Sequence, residues 1–250
     1  MKMNTRRGIT AEKPVRQAIA YAIDRNWIIK NLMKDHASTM YGPIHPLTWA
    51  YTDDVERYDY SPQKARELLD AAGWKVGRDG IRERNGQRLK LSLMFPNVGN
   101  PIRQATAPAV QQFLKDVGIE VELQGVDWPI LLDKTFDQHD YDMFFVGWSV
   151  GNEPDPTGLW DKASAALGGN NASGFWTDRS EELIKQGKAT NDILERMEIY
   201  HEFQQIFADE MPVYIFYAVN TLLGHNERLQ NFKPGPWGYL WNVEELWLSK

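Results

Sequence analysis

Between residues 82 and 148 the chain alternates strand-like and helix-like segments, and this order limits the possible folds more than any other feature. Leu89, Leu91, Leu93 and Phe95 recur at every second position, as in a half-buried strand. The preceding Asn85-Gly86, favoured in two-residue hairpin turns, predicts a hairpin over residues 82–95. Residues 102–117 then read as a helix, entered through Asn100 and Pro101 and closed by Gly118. Pro108 either kinks this helix or marks its true start, because its ring blocks a backbone hydrogen bond. Ile119, Val121 and Leu123 alternate as a strand, Asp127 and Pro129 open a short helix reaching Phe136, and YDMFFVGW at 141–148 reads as a buried strand. Strand, helix, strand, helix, strand predicts parallel strands joined by right-handed crossovers in an α/β layer structure.

The flanks add helices. Val15, Ala18, Ile19, Ala22, Ile23 and Trp27 share one helical stripe behind Pro14. Residues 35–58 are irregular and aromatic, which predicts a long surface connection. Ser61 and Pro62 then start a helix with the stripe Ala65, Leu68, Leu69 and Ala72, closed by Gly73. Residues 149–177 read as loop, 178–188 and 192–209 as helices, and 212–217 as a strand. The aromatic tail from Phe232 to Lys250 has no clear period.

Composition removes whole classes of function. With a net charge of -6, the chain lacks the concentrated basic surface a nucleic-acid partner requires. It has no cysteine, hence no disulfide, thiolate metal site or thiol nucleophile. No apolar run reaches the roughly 20 residues needed to span a bilayer, and residues 1–8 lack the apolar centre of a signal peptide. His36, His45, His139, His201 and His225 show no metal-binding spacing, and no phosphate- or dinucleotide-binding glycine pattern is present, so no metal and no cofactor is expected. The 10 Trp, 10 Tyr and 10 Phe suit both a core and the walls of a pocket.

Several segments resemble one family. Pro14 to Arg25 (PVRQAIAYAIDR) is similar to a helix of the family 5 solute-binding proteins, the oligopeptide, dipeptide and nickel-binding group. Tyr60 to Ala65 with Leu68-Leu69 and Ala72-Gly73-Trp74, Gly118 to Val121, Tyr141-Asp142 with Gly147-Trp148, and Pro212-Val213-Tyr214 resemble further segments of it. The resemblance runs from about residue 10 to 248 and matches only the second half of proteins about twice as long. It implies the C-terminal lobe of a two-lobed, periplasmic-binding-protein-like (type II) α/β fold, with a mixed, partly parallel sheet flanked by helices. Residues 1–217 would be the ligand-binding lobe, and 218–250 a hinge and return segment toward a first lobe. The implied function is capture of a peptide, or a related small solute, by a monomeric extracytoplasmic protein that is secreted or lipid-anchored. It would deliver that solute to the permease subunits of an ABC importer, with no enzymatic activity. An oligosaccharide or a metal chelate is the alternative ligand.

For the site, the resemblance places Trp128 and Trp148 beside the ligand cleft, and Ser149, Gly151 and Asn152 join them in the loop that follows. Aromatic walls tolerate varied side chains, which suits a peptide binder; both Trp residues could equally be packing residues. Peptide binders of the family often carry, three residues after that Trp, an Asp that pairs with the peptide ammonium; here the position is Gly151. Glu153 and Asp155 could substitute, although a solvated or turn-capping role in this Pro-rich loop is the simpler expectation. The same carboxylates, or Asp140 and Asp142, form the remote alternative of a carboxylate-dependent hydrolase.

Overall fold

The computed structural model describes every residue except 150, 152, 236 and 237, and it divides the chain into two compact units, Met1–Ala218 and Val219–Lys250. The first unit begins with β1 (Lys2–Met3), α1 (Lys13–Ala22), α2 (Arg25–Asn31) and β2 (Ala37–Ser38). The single helix expected through Trp27 is therefore two. Ile23 turns extended, and Asp24 caps a new helix by accepting a hydrogen bond from the Trp27 backbone N–H at 2.8 Å. Trp27 consequently leaves the buried stripe and lies edge-on against Phe113. The irregular segment at 35–58 is not purely superficial, since Met40, Ile44, Ala50 and Tyr58 are buried.

α3 (Pro62–Ala71) starts as its sequence predicts, with the Ser61 hydroxyl accepting from the Lys64 N–H. Next come β3 (Lys75–Val76), β4 (Arg82–Arg84) and β5 (Gln87–Arg88), which form a small antiparallel sheet. Asn85 and Gly86 turn the β4–β5 hairpin with φ of 52° and 77°, the left-handed pair a tight twisted turn requires. The Leu-rich run is a separate strand, β6 (Lys90–Pro96), and not the second arm of that hairpin.

α4 (Pro101–Lys115) connects β6 to β7 (Glu120–Val126), and the two strands pair in parallel from Lys90↔Glu120 to Pro96↔Val126. Pro108 lies inside α4 on its exposed face, where water can serve the carbonyl its missing N–H leaves open. α5 (Trp128–Leu132), extended by a π-turn at Asp133–Asp137, leads to β8 (Met143–Phe144), which is parallel to β6 on its other side. The buried strand expected at 141–148 is thus only two residues long, and by Gly147 the chain is exposed.

The main sheet runs β1-β8-β6-β7, with β1 antiparallel to β8. Beyond β1, residues 212–214 add a single bridge, Lys2↔Val213, so the strand expected at 212–217 is reduced to that contact. α6 (Asp178–Ala189) and α7 (Ile193–Glu210) complete the first unit, and β9 (Ala218–Val219) falls at the boundary between the two in sequence. The second unit contains β10 (Leu229–Gln230) paired antiparallel with β11 (Trp247–Leu248), and Tyr239, Leu240, Trp241 and Trp247 in it are exposed.

Both faces of β6 are covered. Leu91 and Leu93 join Val15, Ile19, Leu69, Val110 and Leu114 in the main core, while Met94 packs with Leu131, Phe136 and Phe144 in a second one. Buried arginines serve carbonyls that lie outside regular pairing: Arg82, 1% exposed, donates to the Val117 and Trp74 oxygens at 2.9 and 2.7 Å.

α6 and α7 pack so closely that a Cβ on Gly187 would lie 2.4 Å from Cε1 of the buried Tyr200. Gly187→Ala is therefore expected to destabilise the fold by on the order of 1–3 kcal/mol despite its better helix propensity. Urea unfolding checks this, and an unchanged midpoint would show that the two helices separate freely.

Candidate functional site

Because β6, β7 and β8 run the same way, the segments leaving their carboxyl ends emerge along one edge of the sheet. Open α/β sheets bind ligands at such an edge, where loops converge and helix N-termini point. Here the edge carries Asn97 and Asn100 after β6, Asp127 and Trp128 after β7, and Gly147, Trp148, Ser149 and Gly151 after β8. It is tied laterally: the Asn97 N–H donates to the Val126 carbonyl at 3.0 Å, and Asn97 Nδ2 donates to Asp127 Oδ1 at 2.8 Å. The Asp127 side chain makes no cap to α5 and holds this crosslink instead.

Trp128 begins α5 and is 41% exposed; Trp148 follows β8 and is 40% exposed. Ser149 and Gly151 line a cavity of about 120 Å³ together with Ile44, Pro156, Trp160 and Phe203. Neither Trp128 nor Trp148 lines it, and Asn152 lies outside the described residues. The four expected site residues that are described are therefore split, Trp128 and Trp148 at the open edge and Ser149 and Gly151 at the cavity. Pockets for drug-sized ligands measure roughly 300–1,000 Å³, so this cavity is smaller than a whole ligand of that size requires.

The two carboxylates near Gly151 are already engaged. Glu153 is ion-paired with Arg196, and Asp155 Oδ1 accepts from the Thr157 N–H and hydroxyl at 2.9 and 2.6 Å, a turn-capping arrangement. Asp142 Oδ2 accepts from the Ser92 N–H and hydroxyl, and Asp140 pairs with Arg7. Among the described residues, no group of His, Asp and Glu could hold a metal ion.

The sequence reading missed Lys2, a buried cation at this edge. Antiparallel pairing with β8 places it opposite Phe144, 1% exposed, with Nζ donating to the Asn170 carbonyl at 2.7 Å. Its ammonium lies 5.7, 5.3 and 5.0 Å from the ring centroids of Phe136, Trp148 and Trp160. Three ring faces favour the charged amine, yet loss of water outweighs them and pushes its pKa down to about 7. A two-residue strand carries no periodicity, so only the polar residue between two methionines hinted that Lys2 is enclosed.

Residues 1–170 match the family described as "Bacterial extracellular solute-binding proteins, family 5 Middle". The oligopeptide-binding protein AppA of Bacillus subtilis is 31% identical over 99% of this chain and 46% of its own length. The solved structure of Bacillus subtilis AppA in complex with a nonapeptide superposes with a TM-score of 0.84 at 28% identity, over 100% of this chain and 50% of that one. NikZ from Campylobacter jejuni in complex with Ni(L-His) gives 0.79 at 25% identity, over 98% of this chain and 50% of that one. The chain spans about half the length of the curated relatives it matches.

The lowered Lys2 pKa makes stability depend on pH. Between about 7 and the unfolded value of 10.5 the unfolded chain holds a proton that the folded chain has lost, so stability rises with pH through that window. From pH 7 to 9, wild type should gain on the order of 2 kcal/mol relative to Lys2→Met. Parallel pH profiles in urea unfolding would contradict this. On its motifs, its fold and its match over residues 1–170, the chain belongs to family 5 of the bacterial extracellular solute-binding proteins.

Proposed function

We propose that this chain forms one wall of the binding site of a peptide-capturing protein that delivers its solute to an ABC importer. The observation that carries the reading is the likeness, over the whole chain, to a protein solved with a nonapeptide bound. The site supports it physically. The sheet edge offers two half-exposed Trp rings and a small cavity, which suits variable side chains, and its backbone polar groups suit a peptide main chain. Residues 1–217 act as the ligand-binding lobe. Residues 218–250 return toward a first lobe, which the exposed Tyr239, Trp241 and Trp247 of the second unit are suited to contact.

The protein works by binding and not by turnover. The carboxylates that a hydrolase would need as acid and base are committed to Arg7, Arg196, Ser92 and Thr157. It acts outside the cytoplasm as a monomer, secreted or lipid-anchored, and its partners are the permease subunits. A metal chelate is the second reading, favoured by the likeness to NikZ with Ni(L-His) and by the lack of an acid at Gly151.

Native mass spectrometry of the full-length protein, purified from its own host, distinguishes the readings. The expected result is a set of copurified peptides released on denaturation. A single metal chelate or a sugar in their place would contradict the peptide reading.

A further inference from the structure

Lys2 brings a fixed charge to the exit of β8. Its backbone is held from two sides, opposite Phe144 of β8 and by the single bridge to Val213. Its Nζ donates to the Asn170 carbonyl at 2.7 Å and makes no ion pair with any described residue. The ammonium is therefore anchored before a solute arrives, and the rings around it supply the rest of its compensation for lost water.

Those three rings are not equivalent. Phe136 is buried edge-on against Phe144, with centroids 5.7 Å apart, and Trp160 is buried against Phe207 at 4.7 Å, so packing already holds both. Trp148 lies beyond the end of β8 and is half-exposed. Among the described residues its one ring neighbour is Phe136, edge-on at 6.2 Å. An indole with so few contacts keeps its rotamer freedom unless something holds its face. The Lys2 ammonium, 5.3 Å from the Trp148 centroid, is placed to do this. Trp128, equally exposed on the same edge, makes no ring or cation contact with any described residue.

We propose that Lys2 is a positioning residue whose ammonium holds the Trp148 ring in the orientation that meets the solute, an inference that rests on the reading of this edge as a ligand wall. Lys2 is almost wholly enclosed, so it acts on the solute through the ring. A ring already held in place binds without losing side-chain freedom at that moment, which raises affinity with no contact between Lys2 and the ligand.

The test is a double-mutant cycle in the full-length protein at pH 6, where the Lys2 amine is protonated despite a pKa lowered to about 7. The readout is the apparent Kd for a pool of random pentapeptides in wild type, Lys2→Met, Lys2→Gln, Trp148→Leu and the two double variants. Lys2→Met keeps the bulk of the side chain, and Lys2→Gln keeps a donor for the Asn170 carbonyl; whichever retains a cooperative urea transition is measured. Loss of the charge should weaken binding roughly three- to thirtyfold, and that loss should vanish in the Trp148→Leu background. Labelling with 5-fluorotryptophan adds a spectroscopic signature. The fluorine resonance missing from Trp148→Leu should shift in the Lys2 variants without peptide, while the one missing from Trp128→Leu stays in place. An equal loss in both backgrounds, no loss in either, or an unmoved Trp148 resonance overturns the role of Lys2 and leaves the peptide reading intact. Binding unaffected by Trp148→Leu overturns it too, by removing the ring from the wall. Wild type that binds no peptide overturns both.

Discussion

The parallel pairing of β6 with β7, seven residues in continuous register, is the interaction on which the rest of the molecule depends. Among the described residues, β6 is the one strand of the main sheet with parallel neighbours on both edges, and its two faces contribute to both cores that flank the sheet. β8 docks on its free edge, β1 on β8, and residues 212–214 on β1. A shift of one residue in this register would exchange the two faces of β6, moving Leu91 and Leu93 away from α1 and α4. It would also misplace the chain exits at Asn97, Asp127 and Gly147, which share an edge only because their strands are parallel.

That edge treats its charges in two ways. Lys2 is enclosed by three aromatic rings and a carbonyl, and burial holds it near neutrality. Arg103, two residues inside α4, lies over the backbone of Gly147 with no bonding partner among the described residues. The carboxylates that could have neutralised a cation here are turned elsewhere, Glu153 to Arg196 and Asp155 to its own turn. Of the two cations, only Arg103 keeps a full charge at neutral pH, because an arginine stays protonated even when partly desolvated.

Much of this was legible in the sequence because it rests on local chemistry. The Asn85-Gly86 turn, the Ser61 cap, the helices from 178 to 210 and the β6-α4-β7 unit follow from period and capping alone. What was not legible depends on partners remote in sequence. β1 is two residues long and exists because β8 lies beside it, and Pro212 to Tyr217 failed as a strand because only β1 is available to pair with it. The aromatic run at 141–148 overstated its strand, since aromatic composition does not reveal where a ladder runs out of neighbours. At the candidate site, Ser149 and Gly151 line a cavity in the loop that the sequence singles out, whereas Arg103 and Lys2 carry no motif. Their significance is the absence of a counter-charge, which a one-dimensional pattern does not record.

The central claim is that the carboxyl edge of β6, β7 and β8 is a ligand wall. Hydrogen exchange of the full-length protein with and without saturating peptide tests it most directly. Protection on binding should concentrate at residues 97–103, 126–128 and 147–149, the three chain exits along one edge. Protection confined to other segments of this chain, with these three unchanged, would contradict the account.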